Sequence, residues 1–132
     1  MKRKKGLQLQ NWIAKYLEEN GWIVHNQKPV SKMLTTEKGN IWISQRNDIF
    51  GCIDIIAKKK EEKTLWILAT HDVNLERRVE KLKEIGWDYN VDCVELWQKK
   101  DKKIKIYRYD IFNQKFEEYG FIYRKKFFLL AS

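Results

Sequence analysis

The sequence predicts an α/β fold of the α+β kind, in which helices flank a mixed central sheet and extra strands follow at the C-terminus. Two nearly continuous apolar runs, at residues 51–57 and 64–70, are joined by a charged turn at 58–63. Runs that are apolar on both faces are typical of central strands that are covered on both sides. Two amphipathic segments, at 7–20 and 75–86, would supply the covering helices.

Before the apolar runs, the chain begins with the helix over 7–20, which Gly21 would end. A short strand at 22–27, a polar loop over 28–40 and a strand at 41–46 follow. After the runs, the helix over 75–86 can be capped by Asp72 or Asn74. The last strands are expected at 91–98, 103–110 and 114–124. The predicted fold is an α-β-β-β-α-β core with extra strands outside it.

Length and composition predict a single globular domain over residues 1–132. Hydrophobic residues make up 43% of the chain and aromatic residues 14%, which is too apolar for a disordered protein. Lysine and arginine number 27 against 18 aspartates and glutamates, so the formal net charge is +9. This excess of positive charge favours a polyanionic partner, most often nucleic acid and less often an anionic membrane surface.

The chain carries no sign of membrane insertion or export. No apolar run approaches the roughly 18 residues that a spanning helix needs, and no apolar stretch follows the charged start as a signal peptide requires. Cys52 and Cys93 lack metal-ligand spacing, which favours two buried thiols in a reducing compartment. We therefore expect a cytoplasmic protein with no membrane partner.

Asp54 is the most informative residue, because it lies inside the apolar run Cys52-Ile-Asp-Ile-Ile. A lone buried carboxylate is costly unless it binds a cation or accepts several hydrogen bonds. Asp48 precedes it by six residues, just after a polar turn, and could act with it. The alternative is a structural carboxylate that caps a turn or pairs with a lysine.

The segment Asp48–Ala57, the charged turn and the strand Leu65–Thr70 together resemble the core of the PD-(D/E)XK nuclease superfamily. The start of the chain, with Arg3-Lys-Lys-Gly before the first helix and Gly21-Trp-Ile-Val after it, is similar to the archaeal Holliday-junction resolvases. The resemblance implies the restriction-endonuclease-like αβββαβ core over about residues 3–98. It also implies Mg²⁺-dependent cleavage of DNA phosphodiesters. The strands at about 103–124 would be an addition to that core.

The resemblance implies catalytic roles for particular residues. Asp54 falls on the family's metal-binding aspartate, and Gln10 falls on the first-helix glutamate of the resolvases. The family's second acid falls on Leu68, which has no oxygen to offer a metal, and its lysine falls on Thr70. Restoring both groups, as Leu68→Glu with Thr70→Lys, is expected to raise metal affinity.

Two further residues would support such a site. Asp48 is a second metal ligand in this interpretation. His71 would act as a base or replace the missing lysine charge. The alternative for His71 is an ordinary histidine in a polar turn at the end of a strand. One or two carboxylates form a thin ligand set for Mg²⁺, so weak binding is expected. If active, the protein would be a metal-dependent endodeoxyribonuclease with weak or lost catalysis.

Clusters of basic residues are the expected DNA contacts. The first cluster opens the helix that carries Gln10, and the second lies in the charged turn. Further clusters lie at 99–105 and 124–126. Any one such cluster is usually a solvated surface run. The residues predicted to contact phosphates are Lys2, Arg3, Lys4, Lys5, Lys58 and Lys59.

Three interpretations are therefore open. The first is a resolvase-like DNA-binding protein with weak or lost cleavage. The second is a non-catalytic interaction module that keeps the nuclease fold and binds a nucleoprotein or protein partner. A third, less specific reading is a small α+β protein without nuclease ancestry. Because resolvases of this kind work as two-fold dimers, the resemblance also implies a homodimer. The apolar tail Phe127–Leu130 would suit a subunit contact; the alternative is that it folds back on the core.

Overall fold

The computed structural model describes residues 2–28, 30–45, 48–71 and 75–130. Over these ranges the chain forms two helices, α1 (Lys2–Glu19) and α2 (Glu76–Lys83). Nine strands accompany them: β1 (Ile23–Asn26), β2 (Val30–Thr36), β3 (Gly39–Gln45), β4 (Ile55–Lys58), β5 (Thr64–Thr70), β6 (Asp92–Lys100), β7 (Lys103–Asp110), β8 (Lys115–Tyr123) and β9 (Lys126–Leu129).

Seven strands form one mixed sheet in the order β1-β4-β5-β6-β7-β8-β9. Neighbouring strands are antiparallel except for β5 and β6, which run parallel. A parallel pair needs a long crossover connection, and α2 lies within this one. The remaining strands, β2 and β3, pair with each other as a separate antiparallel hairpin.

The predicted helix-flanked αβββαβ core is wrong, because the structure is mostly β, with about half of it in strands and about a fifth in helices. The eight residues of α2 extend only about 12 Å. A sheet of seven strands is about 29 Å wide, so α2 covers a small part of its face. The C-terminal strands continue the sheet without a break, and they are not an addition to a smaller core.

The sheet curls around α1, which supplies the centre of the larger core cluster. Leu9, Ile13 and Leu17 lie on the buried side of this helix. They pack with residues from β4 through β8, including Ile67, Trp97, Ile104 and Ile122. A second cluster on the opposite face joins Cys52, Ile53 and Leu68 to Leu82 of α2. The predicted pairing of the two apolar runs is confirmed, because β4 and β5 are antiparallel neighbours.

Several element boundaries differ from the predicted ones for local reasons. The apolar run at 51–57 becomes a strand only at Ile55, because the chain turns at Phe50 and Gly51, where φ is +54° and +77°. Asp54 therefore immediately precedes a strand and does not lie within one. The predicted loop at 28–40 contains β2, whose sequence does not alternate between apolar and polar residues as a predicted strand would.

The edge strand β9 was also missed. Its close pairing with β8 depends on Gly120, where a Cβ would lie 2.6 Å from the carbonyl oxygen of Phe128.

Candidate nucleic-acid interface

One end of the sheet collects several strand ends and turns. Thr70, the last residue of β5, pairs with Gln98 near the end of β6. The β6–β7 turn at 101–102 and the β8–β9 turn at 124–125 lie at this same end, because Lys103 pairs with Tyr123. We call this region, formed by residues 98–103 and 123–126, the basic end.

The helix α1 points its N-terminal half toward the basic end. The side-chain amide of Gln10 donates hydrogen bonds to the Asn26 side chain at 2.6 Å and to the carbonyls of Gln27 and Asp54. These partners lie where β1 ends and where the chain enters β4. The structure thus brings Gln10, Asp54 and Thr70 to one end of the sheet. Gln10 meets the main chain of Asp54, however, and the carboxylate has other partners.

The Asp54 carboxylate is sealed inside the protein and is only 3% exposed. It forms an ion pair with Arg78 of α2, and it accepts a hydrogen bond from the Ala69 amide at 2.8 Å. Burial raises the pKa of Asp54, while Arg78 and the Ala69 amide offset part of that rise. The cation that this buried carboxylate needs is therefore supplied by the protein itself.

Arg78 also binds main-chain groups around Asp54. It donates to the carbonyl of Cys52 at 2.7 Å and to the carbonyl of Ala69 at 3.3 Å. A planar guanidinium with five donors suits this many acceptors better than a lysine would. Sequence reasoning considered only a lysine as the partner and missed Arg78. The sequence does indicate that Arg78 faces the sheet, because it lies four residues before the apolar Leu82 and therefore on the same side of α2.

In this arrangement the Arg78 guanidinium supplies the positive charge beside Asp54 that a bound Mg²⁺ would otherwise bring. Within the described parts of the chain, no group of three His, Cys, Asp and Glu side chains could hold a metal ion. Asp48 is half-buried, Thr70 is buried, and His71 is exposed just after β5. The catalytic and metal roles of these residues stay predictions.

A cleft of about 310 Å³ opens at the basic end, between α1 and the strands. Its lining consists of four cations, two aromatic residues and two isoleucines: Lys99, Lys102, Arg124, Lys125, Trp12, Tyr123, Ile104 and Ile122. The isoleucines are buried and form an apolar floor. No carboxylate lines the cleft as far as the structure describes the chain. We call this feature the basic cleft.

The aromatic wall of the basic cleft is held by a series of ring contacts. Trp12 stacks on Tyr16 with ring centroids 5.3 Å apart, and Tyr16 and Trp97 form a T-shaped pair with centroids 6.1 Å apart. The Trp97 indole donates to the buried Glu95 carboxylate at 3.0 Å, and Arg108 pairs with that carboxylate at 2.9 Å. These contacts fix the orientation of Trp12 before any ligand arrives.

The β8–β9 turn places two cations in an unfavourable backbone conformation. Arg124 and Lys125 have φ values of +50° and +62°, in the left-handed region. Two-residue hairpin turns of this kind favour asparagine and glycine, and a left-handed conformation costs other residues about 1–2 kcal/mol each. Backbone strain of this kind is often found at functional sites.

The predicted phosphate contacts fall into two groups. Lys2, Arg3, Lys4 and Lys5 form the first turns of α1, whose N-terminal half points toward the basic end; their side chains lie outside the described part of the structure. Lys58 and Lys59 lie at the opposite end of the sheet. Lys59 donates to the Asn20 carbonyl at 2.9 Å, just beyond the C-terminus of α1.

No protein-family model matches the sequence, and searches of curated proteins and of solved structures also found no match. Neither helix in the described part of the chain is long and apolar enough to cross a membrane. These comparisons leave the resemblance to the PD-(D/E)XK superfamily as a prediction.

Proposed function

We propose that this protein binds nucleic acid through the basic end of its sheet and does not cleave it. The observation that carries the proposal is the basic cleft, where four cations surround an apolar and aromatic surface without a lining carboxylate. Cations in this number repel one another, and a polyanion that neutralises them would relieve this repulsion. The phosphates of a nucleic acid provide such charges at regular spacing.

The wider distribution of charge supports the same surface. Three segments supply positive charge to this end of the molecule, at 2–5, 99–105 and 124–126. They contain twelve of the chain's 27 lysines and arginines, and Asp101 is their only acidic residue. The sequence interpretation placed the main phosphate contacts on the first segment and in the 58–63 turn. The geometry favours the second and third segments.

We propose that the protein does not cleave nucleic acid because the Asp54 carboxylate is buried and already paired. A metal-dependent nuclease needs an accessible carboxylate set for its ion, and here the central carboxylate is closed off and paired with Arg78. Leu68 and Thr70 stand where the resemblance expects an acid and a lysine. We also propose a cytoplasmic location, because the reducing cytoplasm would keep the two free cysteines as thiols.

Binding to duplex DNA should weaken steeply with salt. If about five phosphates are neutralised, the slope of log affinity against log salt is about −4 to −5. Replacing Lys99 and Lys102 with glutamine, Arg124 with asparagine and Lys125 with glycine should reduce the slope by about 0.9 per residue. At 0.1 M salt the affinity should fall by at least about 10²-fold. Fluorescence anisotropy with a labelled duplex measures both quantities.

A matched variant controls for overall charge. It replaces Lys60, Lys81, Lys83 and Lys115 with glutamine; all four are exposed and lie away from the basic end. It removes the same four charges, so its binding should stay within a few-fold of the unmodified protein. Equal losses in both variants, or no binding at low salt, would contradict the proposal.

A second candidate function, self-association, is favoured by the exposed edge of β9. This strand lies at the end of the sheet, and the apolar residues from Phe127 to Leu130 are all exposed. An open strand edge can pair with the same edge of a second copy across a two-fold axis. We propose a homodimer through β9.

Analytical ultracentrifugation tests this dimer. Leu129→Lys places a charge on a side chain that is 63% exposed, so the monomer should stay folded while the dimer dissociates at least about tenfold more readily. Ile23→Lys, on the opposite edge strand and 80% exposed, should leave association unchanged. A monomeric unmodified protein at high micromolar concentration would exclude this second function.

A further inference from the structure

We infer that the basic cleft takes an unpaired nucleotide, so that the preferred ligand is single-stranded nucleic acid. This inference rests on the proposed nucleic-acid binding and names its substrate class. A duplex presents phosphates at its surface and keeps its bases stacked inside. Such a ligand could use the cations of the cleft but would not contact its aromatic side chains through a base.

The apolar part of the cleft suits the face of a base. Ile104 and Ile122 form the floor, and Trp12 and Tyr123 add aromatic surface beside it. Bases stack on such side chains with little dependence on sequence, because every base has an aromatic face. An unpaired base can enter the cleft only when it is released from its own stack.

Trp12 is prepared for this contact. Tyr16 stacks against one face of the indole, with an angle of 19° between the rings. The indole therefore meets the cleft with its other face or its edge. Because the ring is already held, little side-chain freedom is lost when a base stacks on it.

The cations stand on both sides of that surface. Lys99 and Lys102 belong to β6 and its following turn, while Arg124 and Lys125 form the β8–β9 turn. Because β7 and β8 lie between these turns, a nucleic-acid strand laid over the cleft would meet positive charge before and after the inserted base. The two-residue β8–β9 hairpin requires a left-handed backbone at both turn positions, and the presence of Arg124 and Lys125 there, where asparagine and glycine would cost less, agrees with a role in ligand binding.

The test compares oligothymidylate of about 15 nucleotides with a duplex of equal length, by anisotropy at matched salt. We expect the unmodified protein to bind the single strand at least about tenfold more tightly. Trp12→Leu keeps an apolar side chain on α1 and should lower single-strand affinity by about 5- to 150-fold. Duplex binding should stay within about twofold, and the salt slope should not change because no phosphate contact is lost.

Two further variants complete the test. Trp12→Phe, which restores an aromatic face, should recover most of the single-strand affinity. Trp22→Leu removes a half-buried tryptophan at the other end of the sheet and should leave the ratio of the two affinities unchanged. An oligouridylate arm distinguishes RNA from DNA as the source of the single strand. Circular dichroism establishes that each variant is folded.

The outcomes separate this inference from the proposed function. The unpaired-nucleotide site would be overturned if the protein bound duplex more tightly than single strand. It would also be overturned if Trp12→Leu left binding unchanged or weakened the binding of both ligands equally. Either result, with binding still dependent on salt, would leave nucleic-acid binding intact. Failure of both ligands to bind, or insensitivity to the four-cation variant of the cleft, would overturn the proposed function as well.

Discussion

Arg78→Ala is expected to lower the free energy of unfolding by about 3–5 kcal/mol at neutral pH. The variant leaves the Asp54 carboxylate buried without its counter-ion, and it also leaves the carbonyls of Cys52 and Ala69 without the donors that Arg78 supplies. Domains of this size are commonly stable by only about 5–15 kcal/mol, so the loss is a large fraction. Urea denaturation followed by circular dichroism measures it.

The pH dependence of Arg78→Ala identifies the cause of the loss. Burial already raises the pKa of Asp54, and removal of Arg78, which opposes that rise, should raise it further. The folded variant then binds a proton at pH values where the unfolded chain, with an aspartate pKa of about 3.9, does not. The variant's own stability should therefore increase as the pH falls through the folded-state pKa of its Asp54, and this gain should end near the unfolded value.

Neighbouring substitutions complete this experiment. Arg77→Ala removes an exposed arginine from the same helix and should change stability by less than about 0.5 kcal/mol. Adding Asp54→Asn to Arg78→Ala should restore part of the loss and remove its pH dependence, because no buried charge remains. A loss in Arg78→Ala that does not vary with pH would show that Asp54 is not its source.

Leu68→Glu with Thr70→Lys is expected to destabilise the protein strongly without producing a nuclease. The resemblance alone leads to the opposite expectation, a gain in metal affinity. In the structure Leu68 is 0% exposed and packs with Cys52, Ile53 and Leu82. A glutamate there would place a second carboxylate in an apolar cluster whose nearby cation already serves Asp54. An uncompensated buried charge costs about 3–5 kcal/mol.

A plasmid-nicking assay with Mg²⁺ and with Mn²⁺, together with thermal melting, tests this expectation. The unmodified protein and the double variant should both fail to nick, and the double variant should melt at a markedly lower temperature. Leu68→Met, which nearly conserves volume, should cost less than about 1.5 kcal/mol and serves as the packing control. A folded double variant that nicks DNA, and loses this activity with Asp54→Ala, would restore the catalytic interpretation.

Local pattern predicted the parts of this protein that depend on neighbouring residues. The paired apolar runs around the 58–63 turn became β4 and β5, since a short charged turn between two buried strands leaves little choice but antiparallel pairing. The strict alternation from Lys103 to Asp110 became the half-exposed strand β7. The position of Asp54 in an apolar run also indicated correctly that this carboxylate would need a partner.

The sequence by itself determined the excess of positive charge, the central strand pair and the need for a cation beside Asp54. Only the tertiary structure decided which cation answers that need, because Arg78 lies 24 residues further along and reaches Asp54 through the packing of α2 on the sheet. The basic cleft likewise combines Trp12 with turns more than eighty residues away. Its parts come together because the sheet curls around α1, and sheet curvature arises from strand twist and packing summed over the whole domain.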